Sequence, residues 1–195
     1  MGKTALLVLD MQNELVDPKG KVGANGFAKV VAERNLIEKI RVVEDGMRKR
    51  GLPVVFVRVG FRPDYLDALS QSSRLAHLKK ANALVLGTFG TEFPDRIAPL
   101  TNELIVTKRA VNPFFNTGLL TWLRHHAVTA VALCGVYTHM VVDSTARFAD
   151  DCGFVVTVLE DCCASPDPEL HRVEVEKILP LFGRVTSSAD FVASL

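Results

Sequence analysis

Short apolar, β-branched runs recur along the chain, separated by longer stretches patterned at the helical period. Candidate strands span 5–9, 54–59, 103–106, 130–134, 155–159 and 183–186. They read as near-continuous apolar runs rather than alternating ones, as strands covered on both faces should. Between the first two, the segment 28–49 sets Val30, Val31, Leu36, Ile37, Ile40, Val43 and Met47 near a 3.6-residue period and predicts one amphipathic helix. Gly51-Leu52-Pro53 stops that helix and leads into the next strand. Further helices fit 118–126, 138–152 and 168–182. Alternating strand and helix predict right-handed crossovers and an α/β fold. The expected form is a three-layer α/β/α architecture around a doubly wound parallel sheet of about six strands. The stretch 61–93 is the least regular. It reads as a lid or a partner-facing excursion.

Length and charge narrow the classes. At 195 residues the chain is long enough for one large core, so 1–195 is expected to form a single domain. With 23 basic and 22 acidic side chains the net charge is +1, which gives no electrostatic case for nucleic acid or an anionic membrane. The run Arg48-Lys49-Arg50 reads as a solvated helix end. No apolar run approaches the roughly 20 residues of a membrane span. The apolar start of the chain meets Asp10 too early for a signal segment, and Leu6 breaks a myristoylation motif at Gly2. Cys134, Cys152, Cys162 and Cys163 form no C-x-x-C pair, which suits reduced thiols and a cytoplasmic location.

In parallel sheets ligands bind beyond the carboxyl ends of the strands, so the residues just after each strand carry the candidate chemistry. Asp10 follows the first strand in Leu9-Asp10-Met11-Gln12-Asn13 and is placed for acid–base work, or to cap a turn. Lys108 follows the third. It is either a surface charge or a cation that stabilises a neighbouring carboxylate and developing negative charge. Thr138 reads as the N-cap of the helix after the fourth strand, which would leave the amides of Met140 and Val141 free as an anion site. His139 is adjacent. Cys134, Cys162 and Cys163 read as packed and inert.

The segment from Gly135 to Ala149 resembles the signature of the isochorismatase-like hydrolases, also called the cysteine hydrolase superfamily. That signature reads G-V-x-T-x-x-C-V-x-x-T-A-x-x-A. Gly135, Val136, Thr138, Val142, Thr145, Ala146 and Ala149 match it, and Val141 stands in the slot of the nucleophilic cysteine. A valine side chain can neither attack a carbonyl nor exchange a proton. The resemblance implies a Rossmann-like fold, a catalytic aspartate at Asp10 within D-x-Q, with Gln12 nearby, and a catalytic lysine at Lys108. Phe115 and Thr117 answer to the aromatic and threonine that follow that lysine. It also implies an oxyanion role for the amides at 140 and 141 and a cis peptide near Val136-Tyr137. Tyr137 and His139 match the branch that hydrolyses isochorismate without a thiol. Gln12, Phe115, Tyr137, His139 and Met140 are thus the expected substrate-binding set. Nicotinamidase relatives carry clustered histidines near the second strand for a metal, and the segment 58–65 here has none. No metal and no cofactor are expected. The implied partner is a small-molecule substrate, and the implied assembly a homodimer or homotetramer. The implied activity is hydrolysis by Asp10 and Lys108 without a cysteine, with a catalytically silent ligand-binding member as the alternative.

Overall fold

A computed structural model describes residues 2–195. Its strands are β1 (Lys3–Leu9), β2 (Val54–Val59), β3 (Leu104–Lys108), β4 (Val128–Val136), β5 (Val155–Ala164) and β6 (Arg184–Thr186). They form one six-stranded sheet in the order β3-β2-β1-β4-β5-β6, with every neighbouring pair parallel. The helices are α1 (Asn13–Val16), α2 (Phe27–Glu33), α3 (Leu36–Lys49), α4 (Ser73–Lys80), α5 (Leu119–His125), α6 (Asp143–Asp151), α7 (Pro168–Val173) and α8 (Ser188–Ser194).

Side chains along β1 explain why it reads as a solid apolar run. Leu6 and Val8 enter a core built with Val31 of α2, Leu36, Ile40, Val43 and Met47 of α3, and Phe191 of α8. Ala5, Leu7 and Leu9 enter the opposite core, with Leu119 and Leu123 of α5 and Ala146 and Ala149 of α6. Successive strand residues face opposite ways, so a sheet covered on both sides needs apolar groups at every position. The four fully buried apolar side chains of α3 recur at helical spacing, and each contributes about 1.5–3 kcal/mol by leaving water.

Three expected helices differ in detail. The run 28–49 breaks at Asn35, whose φ of 54° is the left-handed conformation asparagine tolerates. The Arg34 guanidinium braces the break by donating to the carbonyls of Cys163 and Glu160. The run 138–152 opens as a wide π-type turn, Thr138–Val142, before α6. The run 168–182 passes from α7 through a second wide turn to a tight one at Leu179–Leu181, where Pro180 can donate no hydrogen bond. The excursion 61–93 contains α4 and is tied at its neck. Phe61 bridges Val85, Phe61 N–H donates to the Leu84 carbonyl at 2.8 Å, and the Tyr65 hydroxyl donates to the Ala83 carbonyl at 2.6 Å. Among the described residues, no helix is long and apolar enough to cross a membrane.

The chain winds outward from β1 to β3 and then returns to lay β4 beside β1. The strand order reverses there, so the carboxyl ends of β1 and β4 flank the crevice where such sheets bind ligands.

Candidate active site

Asp10 leaves β1 with φ 53°, and its amide donates to the Val57 carbonyl, so the end of β2 holds the turn. Lys108 is the last residue of β3, in register with Val59 of β2. Both side chains are buried, Asp10 at 2% exposure and Lys108 at 1%. They meet above the end of β2: Lys108 Nζ lies 2.8 Å from Asp10 Oδ2 and donates to the Val111 carbonyl at 2.7 Å. Asp10 Oδ1 is also buried and has no hydrogen-bond partner. Burial pushes the Asp10 carboxyl up against the pull of Lys108, and burial pulls the Lys108 ammonium down against the pull of Asp10. Both shifts narrow the gap in proton affinity between the two groups.

Gln12 supports this corner from behind. Its side-chain amide donates to the carbonyls of Val59 and Gly90, and its oxygen accepts the Val59 N–H at 2.8 Å. It stitches the segment after β1 to the end of β2 and does not line the cavity over Asp10.

The turn after β4 departs from the sequence expectation. Gly135 has φ 119°, and a Cβ there would sit 2.0 Å from the Leu9 carbonyl oxygen, so only glycine fits beside β1. The Val136–Tyr137 peptide is cis. Thr138 is not the cap: its hydroxyl pairs with His171 Nδ1 at 2.9 Å, and Tyr137 precedes the turn with no side-chain cap. The amides of Met140 and Val141 are not free either. Tyr137 O accepts from Met140 at 3.2 Å, Val141 at 2.9 Å and Val142 at 3.2 Å. The wide turn converges three donors on one carbonyl, an arrangement that cap-residue rules do not anticipate.

A cavity of about 720 Å³ opens above the ion pair. It brings together Asp10, Lys108, Tyr137, Met140 and Val141. Val141 is 5% exposed and presents only methyl groups there. Burial pushes the Tyr137 phenol up to about 12, so it stays a neutral hydrogen-bonding group. His139 stands behind Tyr137, its ring stacked at 6.0 Å and its Nδ1 paired with Ser165 Oγ at 2.8 Å, outside the cavity lining. Phe115 is 57% exposed and lines a neighbouring cavity of about 550 Å³ with Arg109 and Asn116. The wall that sequence reasoning missed is cationic: Lys21, and Arg74 and Lys80 from α4, with His77 beside them. A charged helix inside an irregular stretch gives no hint of which strand end it will cover. The basic residues of 74–80 were the available signal.

None of the four cysteines lines this cavity. Cys134, Cys162 and Cys163 are fully buried, and burial raises all three thiols, Cys162 to about 12. Among the described residues, no group of three or more His, Cys, Asp or Glu is arranged to hold a metal ion.

Comparison with known proteins places this geometry among relatives. The model of the isochorismatase domain matches residues 4–190. The uncharacterized isochorismatase family protein YecD of Escherichia coli O157:H7 is 31% identical over 192 residues, covering 98% of this chain and 96% of its own. The ureidoacrylate amidohydrolase RutB of Acinetobacter baylyi is 27% identical, covering 97% of this chain and 82% of its own. The crystal structure of N-carbamoylsarcosine amidase from Thermoplasma acidophilum superimposes with a TM-score of 0.75 at 27% identity, covering 95% of this chain and 96% of that one.

Proposed function

This chain belongs to the isochorismatase family of hydrolases, and from that premise we propose that it hydrolyses a small anionic substrate by acid–base chemistry between Asp10 and Lys108, without a thiol intermediate. The observation that carries this reading is the unpartnered Asp10 Oδ1, buried at the cavity floor while Oδ2 is held 2.8 Å from Lys108. A buried carboxylate oxygen without a partner is unfavourable unless something else fills its bond. A substrate atom or an attacking water can fill it. In that position Oδ1 takes a proton from the water or gives one to the leaving atom, and Lys108 stabilises the negative charge that develops.

Val141 supports the absence of covalent catalysis, because the residue in the expected nucleophile slot faces the cavity with methyl groups alone. The wall formed by Lys21, Arg74 and Lys80 supports a substrate bearing a carboxylate, since Asp10 is the one acidic residue among the described residues lining the cavity. Isochorismate, ureidoacrylate and N-carbamoylsarcosine are the natural test panel. Hydrolysis of any of them that falls at least about a hundredfold in Asp10→Asn supports the reading. Equal turnover by wild type and Asp10→Asn would remove it.

A second reading, a silent ligand-binding member, draws on one observation. The Met140 and Val141 amides are already engaged by Tyr137 O, so no free pair of donors waits for an oxyanion. Ligand-dependent thermal stabilisation with no product over long incubation favours it. Amidase activity gained only in Val141→Cys shows a site whose missing part is the thiol.

A further inference from the structure

We propose that Lys108 is a covalent site for carbonyl compounds, its amine condensing with a small aldehyde or 2-oxo acid in the cavity to form an imine. This is an activity separate from hydrolysis and does not rest on the hydrolytic reading.

The cavity lining contains no serine, threonine or cysteine side chain. An electrophile entering it meets Lys108 as the buried nitrogen nucleophile. The other lysines there, Lys21 and Lys80, are exposed, and Lys21 is turned to the Asn82 carbonyl. Lys108 Nζ uses two of its three tetrahedral N–H positions, on Asp10 Oδ2 and Val111 O. The third position is left for the cavity that Lys108 lines. Loss of that proton puts a lone pair where a carbonyl carbon can approach. Asp10 Oδ1, unpartnered on the same carboxylate, is the acceptor for the proton. A lysine becomes nucleophilic in this way when it is desolvated, and Lys108 is 1% exposed. Burial pulling the ammonium down agrees with the geometry. The cationic wall selects, among carbonyl compounds, those that also carry a carboxylate.

The step balances without an oxidant. The Nζ lone pair forms the N–C bond while the carbonyl π pair moves to oxygen. That oxygen takes the proton held by Asp10, giving a carbinolamine. The nitrogen then expels the hydroxyl group as water, with one proton passing through Asp10, and a C=N bond forms. Counted from the ammonium, Lys–NH3+ and a carbonyl give a protonated imine and one water.

Glyoxylate, an aldehyde bearing a carboxylate, is the probe. The full-length protein is incubated with glyoxylate and borohydride, digested and mapped by mass spectrometry. The expected result is a reduced adduct on the Lys108 peptide, formed at least about tenfold faster than on the exposed Lys21 or Lys80. Unfolding in urea before addition should erase that preference. Lys108→Arg keeps the charge and should carry no adduct at position 108. Adducts spread over surface lysines with none on Lys108 of the folded wild-type chain overturn the proposal, and this reading does not depend on how the variant folds. Trapping without hydrolysis leaves this inference standing and removes the hydrolytic one; hydrolysis without trapping does the reverse.

Discussion

Asp10 and Lys108 form a buried ion pair at 2.8 Å although their strands, β1 and β3, are not neighbours: β2 lies between them. Both side chains reach over the end of the intervening strand. Breaking such a pair from one side leaves an uncompensated charge, which costs about 3–5 kcal/mol, whereas removing both charges costs far less. Urea unfolding of Lys108→Met should show that loss, and the double variant Asp10→Asn with Lys108→Met should recover more than half of it. Additive losses would mean that the two groups do not act as a pair.

Gly135 sets the height of the site, because its backbone passes close enough to Leu9 that a Cβ would sit 2.0 Å from the Leu9 carbonyl oxygen. Gly135→Ala should cost at least about 2 kcal/mol and lower activity with it, since Asp10 follows Leu9 directly. Gly51 also has positive φ, at 64°, but faces open space. Gly51→Ala should therefore show only the left-handed penalty of about 1–2 kcal/mol, with activity per folded molecule unchanged. Thermal unfolding paired with an assay separates the two.

Glu44 is a buried carboxyl without sufficient company. It is fully buried, Oε1 has no partner, and Arg48, which reaches Oε2 at 3.2 Å, is also gripped by both oxygens of Glu103. Burial pushes its carboxyl up to about 8. The folded state therefore holds a proton that the unfolded chain has released, and the stability this gives falls as pH rises from the ordinary glutamate range through about 8. Glu44→Gln does not titrate. Its Tm should match wild type near pH 5 and exceed it near pH 8 by at least about 2–4 °C, the shift that about 1 kcal/mol gives in a chain of this size. Parallel Tm curves for the two proteins across that range would contradict this.

Arg74 has no salt bridge or hydrogen-bond partner among the described residues and lines the cavities on both sides of it. Arg74→Glu should weaken an anionic substrate through KM, by about tenfold or more, with kcat changed far less, because it acts on binding and not on the proton transfer. The penalty should shrink as salt rises. A loss confined to kcat would place Arg74 in the chemistry instead.

Much of the architecture was legible because it follows from periodicity. The apolar runs anticipated all six strands, whereas the roles of Asp10 and Lys108 were implied by the resemblance and not by periodicity. The errors lie where geometry depends on parts distant in sequence. Nothing local to Thr138 says that His171 will claim its hydroxyl, so the residue looked like a cap. The convergence of three amides on Tyr137 O follows from the wide turn, which hydropathy does not encode. The resemblance implied substrate contact for Gln12, Phe115 and His139, and none of the three lines the main cavity, each for a different reason. Gln12 is held by backbone hydrogen bonds at Val59, His139 by Ser165, and Phe115 belongs to the adjoining hollow. Arg74 went unnoticed because the segment around it carries neither strand nor strong helical pattern.

The tied neck of the excursion bears on how such a protein diversifies. Phe61 and Val85 bring the two ends of that segment together at the sheet, so the residues between them form a closed loop whose length can change at small entropic cost. Arg74, His77 and Lys80 travel in that loop, while Asp10 and Lys108 are rooted in the strands. A lineage can therefore exchange the whole segment and redraw which molecules are admitted, while inheriting the Asp10–Lys108 ion pair unchanged.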